Sequence, residues 1–435
     1  MKTNIIPIVV LILITLFFRL YRLQSRYSFE WDQSDDAVKV MEIINLHKPR
    51  LIGPRVASDD SFFVGPYHYY FLLPFYLVTR GDPVAGAYAA VANGLIISLV
   101  TYFVGRLLFS PLVGFLAAFL FAISPSLVSW NAMYAPFYAI TIFYLCYRLL
   151  SSPSPRILSL SLFLLSLGAA THLAPLSLAI PVLFSVFLSR RHFSHHHFLF
   201  AFLFSLLPLL PLVIFDFRHQ FLNSTKLFAF ITHRSPSAAY FPFLFLRSFW
   251  RSLNVFQLFP VNIERIVSLL LLFSGIFVFS SRRLRLLILV WILTPLILLS
   301  FYHGDIPEYY YGSVTALIPL FTAVFLSKIR FSFFFPILLI VLFFFKVKTT
   351  LFSSSHVSLA SKKAVISAIV SDSSGQNFSV DYDLPPGWNS GYDYLFNRQP
   401  QFQSSAPLRY LIYHTAHPAT GISIYSHDAL GVARR

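Results

Sequence analysis

The sequence predicts an all-α polytopic membrane protein of about eleven transmembrane helices, followed by a small C-terminal α/β domain outside the bilayer. Three observations predict it. Of 435 residues, 57% are hydrophobic and only 11% are charged, where a soluble domain carries about 25% charged residues. Apolar runs of about 20 residues, each long enough to cross a hydrocarbon core, recur along most of the length. The short loops between these runs alternate between ones that hold Lys or Arg and ones that hold none, as the positive-inside rule predicts.

The elements follow in order. Spans are expected at about 5–23, 86–108, 111–130, 134–150, 157–170, 174–189, 197–216, 262–281, 284–301, 312–327 and 331–346. The first lacks a small-residue cleavage site and runs into Arg19-Leu20-Tyr21-Arg22, so it reads as a retained helix and not a cleaved signal peptide. One set of loops holds Arg106, Arg148 and Arg156, Arg190 and Arg191, Arg282, Arg283 and Arg285, and Lys328 and Arg330. The alternate loops, at about 131–133, 171–173 and 303–311, hold no Lys or Arg. This sets the N-terminus in the cytoplasm and the C-terminal part outside, in a multi-pass protein of the cell membrane.

The segment Tyr67 to Thr79 is apolar but short, and Pro74 interrupts it. Counting it as a span would invert every later loop, so it is expected to be a re-entrant or interfacial element. Three regions then lie outside the bilayer: an acidic loop at about 24–85, a long loop at about 217–261, and the tail 347–435, where β-like runs such as Phe378–Tyr382 and Leu408–Tyr413 announce a small α/β domain. The transmembrane domain is taken as 1–346.

Composition also excludes function classes. The net charge of +16 is explained by cytoplasmic Lys and Arg, not by nucleic-acid binding. A single cysteine, Cys146, rules out an intrachain disulfide framework or a Cys-based metal site. The apolar runs are continuous, unlike the short alternating strands of a transmembrane barrel.

The chain holds only 17 Asp plus Glu, and six of them, Asp32, Asp35, Asp36, Glu42, Asp59 and Asp60, fall in one polar stretch of the first outer loop, which also holds Glu30 and Asp82. Trp31 to Leu46 has the pattern of an amphipathic interfacial helix, on which Asp32 and Asp36, four apart, share a face. The plain alternative is helix capping, with Asp35 and Asp36 in the first turn favouring the dipole. Next, Gly65-Pro66 makes a turn and delivers the aromatic block Tyr67-His68-Tyr69-Tyr70 to the membrane surface. It reads as an aromatic belt, or as a wall for a sugar or an isoprenoid with His68 near a phosphate. A third candidate is the outer loop His303-Gly304-Asp305-Ile306-Pro307-Glu308-Tyr309, on the same side as Asp32. The run His195-His196-His197 falls in a cytoplasmic loop without partner ligands and is read as structural. Asn223 and Asn377 fit glycosylation acceptors, a pattern frequent by chance. Asp216 is an acid that supports the site from an outer helix end.

At these residues the chain resembles the polytopic glycosyltransferases of the GT-C fold, close to the protein-mannosyltransferase and aminoarabinose-transferase type. The resemblance is carried by a first helix ending Arg19-Leu20-Tyr21-Arg22-Leu23, by the acidic motif, by Gly65-Pro66-Tyr67-His68-Tyr69-Tyr70, and by Ser124-Pro125 near the end of a later helix; it covers most of residues 1–345. The usual acidic pair of that family is Asp-Glu; here Gln33 follows Asp32, which leaves open whether Asp32 or Asp36 fills the catalytic position. The resemblance implies a polyprenyl-phosphate sugar donor and transfer to an acceptor hydroxyl or amine on the extracytoplasmic face. A carboxylate would deprotonate the acceptor, an anion would stabilise the oxocarbenium-like transition state, and arginines would hold the leaving phosphate. Arg55, Arg218, Lys226, Arg234, Arg247 and Arg251 are available outside. Asp and His near a phosphate are ligand types for a divalent cation, although no strict ligand spacing is present. The main alternative, a transporter or flippase, places ionisable groups inside its spans, where this chain has almost none. A non-catalytic scaffold is the remaining one.

Overall fold

In the computed structural model each of the eleven apolar runs contains a helix over part or all of its length. The structure describes residues 5–56, 61–123, 129–232, 243–257, 260–302, 306–328, 334–352, 355–417, 421–427 and 429–435. Six helices among these are long and apolar enough to cross a membrane: Val84–Leu108, Asn131–Ser151, Ala174–His192, His195–Arg218, Arg282–Ser300 and Glu308–Ser327. Ile6–Leu20, Pro111–Ala122 and Pro155–Thr171 are shorter apolar helices. Prolines shape several starts: Pro111 and Pro155 stand at the first helical position, where the missing N–H costs nothing. His195–Arg218 buries only 17% of its apolar window and lies at the bundle's outside; Val84–Leu108 and Glu308–Ser327 each bury 61% and form its centre.

The central helices approach closely through small residues, as helices in lipid do. A Cβ on Gly105 would stand 2.8 Å from the Gly114 Cα, so Val84–Leu108 and Pro111–Ala122 meet backbone to backbone. Around them a core of Phe143, Trp291, Leu317 and Phe321 joins the helices from both halves of the chain.

Tyr67–Val78 is a twelve-residue helix, about 18 Å long. It is wedged between other elements: Tyr69, Leu72 and Tyr76 are buried in one cluster with Ala37, Val40 and Ile43 of the acidic helix and with the C-terminal region. That region has a helix, Leu359–Ser373, and a four-stranded sheet in the order β1-β2-β4-β3. Strand β1 (Phe378–Asp383) runs parallel to β2 (Leu408–His414), while β4 (Leu430–Arg434) pairs antiparallel with both β2 and β3 (Ile422–His427). The parallel pair needs a crossover, supplied by residues 384–407 with the short helix Tyr392–Phe396. Two of the four strands, β1 and β2, match the β-like runs of the sequence.

The tail does not stand apart from the rest. Its core shares one cluster with Tyr27, Phe29 and the acidic helix. Buried Lys362 donates to the carbonyls of Phe29, at 2.7 Å, and Ser390, and Lys363 pairs with Asp82 at 2.8 Å. The first outer loop and the tail therefore occupy the same side of the bundle.

Candidate active site

The acidic helix starts at Trp31, one turn earlier than the capping reading of Asp35 and Asp36 requires. Glu30 and Gln33 form a reciprocal capping box, so Asp32 is the acid of the first turn and Asp35 and Asp36 lie beyond it. Gln33, the residue that departs from the family's Asp-Glu pair, also donates from Nε2 to the Ser129 carbonyl at 3.0 Å. A glutamate could cap the Glu30 N–H but could not make that second bond. Gln33 thus fixes the helix start against the segment that carries Trp130 and Asn131.

Between these elements is a cleft of about 350 Å³ lined by Asp32, Asp35, Asp36, Arg50, Arg55 and Tyr69, with Trp130 and Asn131 opposite. The three acids differ in surroundings. Asp32 is solvent-accessible within the cleft, yet its carboxyl is held above the usual carboxylate range, mainly by desolvation among the cleft walls and next by the charge of Asp36; His68 opposes this and Asp35 adds to it. The Asp35 carboxyl is also raised, by desolvation first, with Lys39 opposing and Asp36 adding. Lys39 lies 3.8 Å from Asp35. Asp36 is only 4% exposed, and its Oδ2 lies 2.8 Å from His68 Nε2.

His68 is fully buried and does not line the cleft, contrary to the expectation that it stands near a phosphate. Its Nδ1 lies 2.9 Å from the Tyr134 hydroxyl. A hydroxyl can donate or accept, so either protonation state of the imidazole satisfies both ends of this Asp36–His68–Tyr134 chain. It ties three elements together beneath the cleft. Tyr67 also turns away: its hydroxyl donates to the Pro208 carbonyl at 2.7 Å. Tyr69 does line the cleft, with the Arg50 guanidinium 5.8 Å above its ring.

Two arginines face the carboxylates. Arg50 bonds Glu42 at 2.5 Å, and its buried Nε has no hydrogen-bond partner; nothing in the sequence singled it out. Arg55 lies over the Phe63 ring at 4.9 Å. Phe63 is itself clamped: the Asn223 side chain accepts from its N–H at 2.6 Å and donates to its carbonyl at 3.2 Å. Asp216 in turn accepts from the Asn223 N–H at 2.7 Å. Asp216 thereby supports the site from a distance, as the sequence predicted, while Asn223 is buried and closed to glycosylation. Gly65 completes this scaffold. Its N–H donates to the Ala170 carbonyl at 2.6 Å, and a Cβ there would meet that oxygen at 2.9 Å.

The loop before Glu308 is placed in part. His303 and Asp305 lie outside the described residues, as do Asp59, Asp60, Arg234 and the Ser124-Pro125 pair. Tyr309 packs on Trp130 with ring centroids 4.4 Å apart, so it backs the wall of the cleft. Glu308 does not join Asp32; it lies 3.7 Å from Arg251 in a neighbouring cleft of about 520 Å³ that Arg265 and Tyr309 also line. Arg218 is exposed at a helix end and lines neither cleft. His172, which the sequence did not flag, packs against Tyr309 and Tyr310. Burial lowers its pKa to about 4, so at neutral pH it is an uncharged ring that accepts from the Ala174 N–H. Beyond it an apolar cleft of about 160 Å³ is lined by Leu173, Phe230, Leu298, Tyr302 and Tyr310. Among the described residues no three His, Cys, Asp or Glu side chains group closely enough to hold a metal ion. The three histidines 195–197 begin a helix, with His197 bonded to Ser194 in its cap.

No family profile and no curated protein matches the sequence. Solved structures do match the fold. The structure of ArnT from Cupriavidus metallidurans bound to undecaprenyl phosphate superposes with a TM-score of 0.63 at 9% identity, over 99% of this chain and 98% of that one. The apo state of the same protein gives 0.64 at 11% identity, over 98% and 97%. The fold is the GT-C fold. The likeness extends over the tail as well as the helices, so bundle and C-terminal region together make up this architecture.

Proposed function

We propose that this protein is a membrane glycosyltransferase that moves a sugar from a polyprenyl-phosphate donor to an acceptor hydroxyl or amine on the extracytoplasmic face, with Asp32 as general base. The observation that carries the reading is the cleft itself. A carboxylate with raised proton affinity shares it with two guanidinium groups and an indole, on the fold of ArnT. The sense of insertion is that of the loop charges, with eleven spans, the N-terminus inside and the tail outside.

The chemistry follows from the side chains. The acceptor oxygen attacks the anomeric carbon while Asp32 takes its proton; a base poised nearer neutrality than an ordinary aspartate serves this better. The bond from the anomeric carbon to the phosphate oxygen breaks, and the electron pair leaves with the polyprenyl phosphate. Positive charge grows on the sugar ring, and Asp35 and Asp36 at the cleft offer it negative potential. The phosphate gains charge as it leaves, and Arg50 and Arg55 offer charge-assisted hydrogen bonds. The apolar cleft between Leu173 and Tyr310 suits an isoprenoid chain that stays in the membrane. The burial of Asp36 and its bond to His68 favour Asp32 over it as the base.

The test is transfer of labelled sugar from a polyprenyl-phosphate donor by Asp32→Asn and Asp36→Asn, each checked for membrane insertion. Loss of the base should cost Asp32→Asn about 10²–10⁴ in rate. Full activity in both variants would remove this assignment. Sugar uptake into vesicles without any transfer would favour a carrier instead.

A further inference from the structure

Beside the catalytic cleft, and sharing two of its lining residues, is a second, larger groove that the proposed reaction does not use. It has a volume of about 810 Å³, more than twice the 350 Å³ of the cleft, and it runs between the acidic helix and residues 387–398 of the tail. Trp31 and Asp35 line both. We infer that this groove is the acceptor site, and that the acceptor it takes is a neutral glycan chain. The inference rests on the transferase reading for the meaning of acceptor, and it adds the chemical class.

Three features select a glycan. Trp31 is 70% exposed, a large planar apolar face left in water at the junction of the two cavities. Such faces mark binding sites when polar groups surround them, and a pyranose presents a matching C–H face. Second, Asn45, Asn389 and Asn397 line the groove. A carboxamide donates and accepts at once, as a sugar hydroxyl does. Third, the lining carries three carboxylates, Asp35, Glu42 and Asp393, against Arg398; Lys39 and Arg50, from outside the lining, pair with Asp35 and Glu42. Arg398 is already engaged, bonding the Arg80 carbonyl at 3.1 Å. The groove therefore offers an anion little beyond an arginine already bonded and the repulsion of Asp393, which disfavours a phosphorylated or uronic acceptor, while hydroxyl groups can donate to the carboxylate oxygens. A peptide fits less well. Extended peptides dock by adding to a sheet edge, and no residue of β1 to β4 lines the groove.

The groove is preformed. Lys362 holds the Ser390 carbonyl against that of Phe29. Gly391 has φ +87°, and a Cβ there would meet the Phe29 oxygen at 2.7 Å, so only glycine lets the tail loop come this near. The Tyr394 hydroxyl donates to the Gly81 carbonyl at 2.7 Å. Both walls are therefore tied to one another independently of any ligand, as small-molecule sites usually are.

The experiment is saturation-transfer NMR on the purified full-length protein in micelles. The probes are mannohexaose, cellohexaose, maltohexaose, a hyaluronan hexasaccharide and a Ser/Thr-rich decapeptide. At least one neutral hexasaccharide should bind, and the Asn389→Ala/Asn397→Ala double variant should weaken it about tenfold or more. Trp31→Ala should weaken it likewise, and Asp32→Asn should leave binding intact. The proposal is overturned if no neutral hexasaccharide binds, if the double variant binds as well as the parent, or if the hyaluronan or the peptide binds in their place. Labelled-donor turnover separates the two ideas. Asp32-dependent consumption of donor with no glycan binding sinks the groove and spares the catalytic reading. Glycan binding lost in the double variant, with full transfer by Asp32→Asn, does the reverse.

Discussion

Replacing His68 with leucine should destabilise this protein more than any change on the cleft surface. His68 is fully buried and Asp36 is 4% exposed, and they are 2.8 Å apart. Removing the imidazole leaves a buried carboxylate without its partner, which costs about 3–5 kcal/mol. The Tyr134 hydroxyl, 2.9 Å from the other ring nitrogen, loses its bond too, for roughly 1 kcal/mol more. Set against a total stability of about 5–15 kcal/mol, that is a large fraction, and Tm should fall by roughly 5–10 °C. The chain supplies its own reporter. Cys146 is the single cysteine and is fully buried in the helix Ala135–Ser151, so a dye that fluoresces on reaction with thiols reports bundle unfolding. The variant Asp36→Leu/His68→Leu/Tyr134→Phe replaces the whole polar chain by apolar groups and should recover most of the loss, because no buried polar atom is then left unpaired. A His68→Leu protein as stable as the parent, or a triple variant no better than the single, would refute the account. The triple variant also divides the two acids. If Asp32 is the base it keeps transfer at a reduced rate, the Asp36 charge being lost from the cleft; if Asp36 is the base it folds and does nothing.

Two further outcomes are expected. Asp32 acts deprotonated, so kcat/KM should be present above its raised pKa and lost as pH falls through it, on a limb lying above the ordinary aspartate value of about 4. Asp35→Asn removes a like charge that raises Asp32, and a pH–rate profile should show the limb moving to lower pH; an unmoved limb would mean another group titrates. Asn223→Ala leaves the Phe63 N–H and carbonyl without their partner, about 1–3 kcal/mol for each group. Arg55 rests on that ring, so steady-state kinetics should show KM for the lipid-linked donor rising more than kcat falls, and an unchanged KM would detach Arg55 from the phosphate.

The helices were legible because each must be apolar for about 20 residues to lie in lipid, a signal that survives without any partner. The separate short element at Tyr67–Val78 was legible for a different reason: Gly65-Pro66 opens it and the loop charges set it apart from the apolar runs. The cleft was legible only as a set of residue types. Asp32 stood out through the scarcity of acid elsewhere. Arg50 did not, since one more arginine in a loop looks like any other, and its role comes from the path of the chain back across Tyr69. His68 misled because a histidine in an aromatic block reads the same whether it points to a substrate or inward to Asp36, 32 residues away. Asn223 looked like a surface sequon, yet it folds under Phe63 from 160 residues away.

The amino-acid sequence alone determined that this chain belongs in a membrane, which segments are apolar, and that its acid gathers on one loop. Those properties depend on transfer of local segments between water and lipid, and local composition sets that free energy. Which carboxylate faces solvent, which is locked to a histidine, and which arginines share the cleft were decided only by tertiary structure. Each depends on the meeting of residues distant along the chain, and a separation of an ångström or two decides whether a charge is paired, desolvated or free to react.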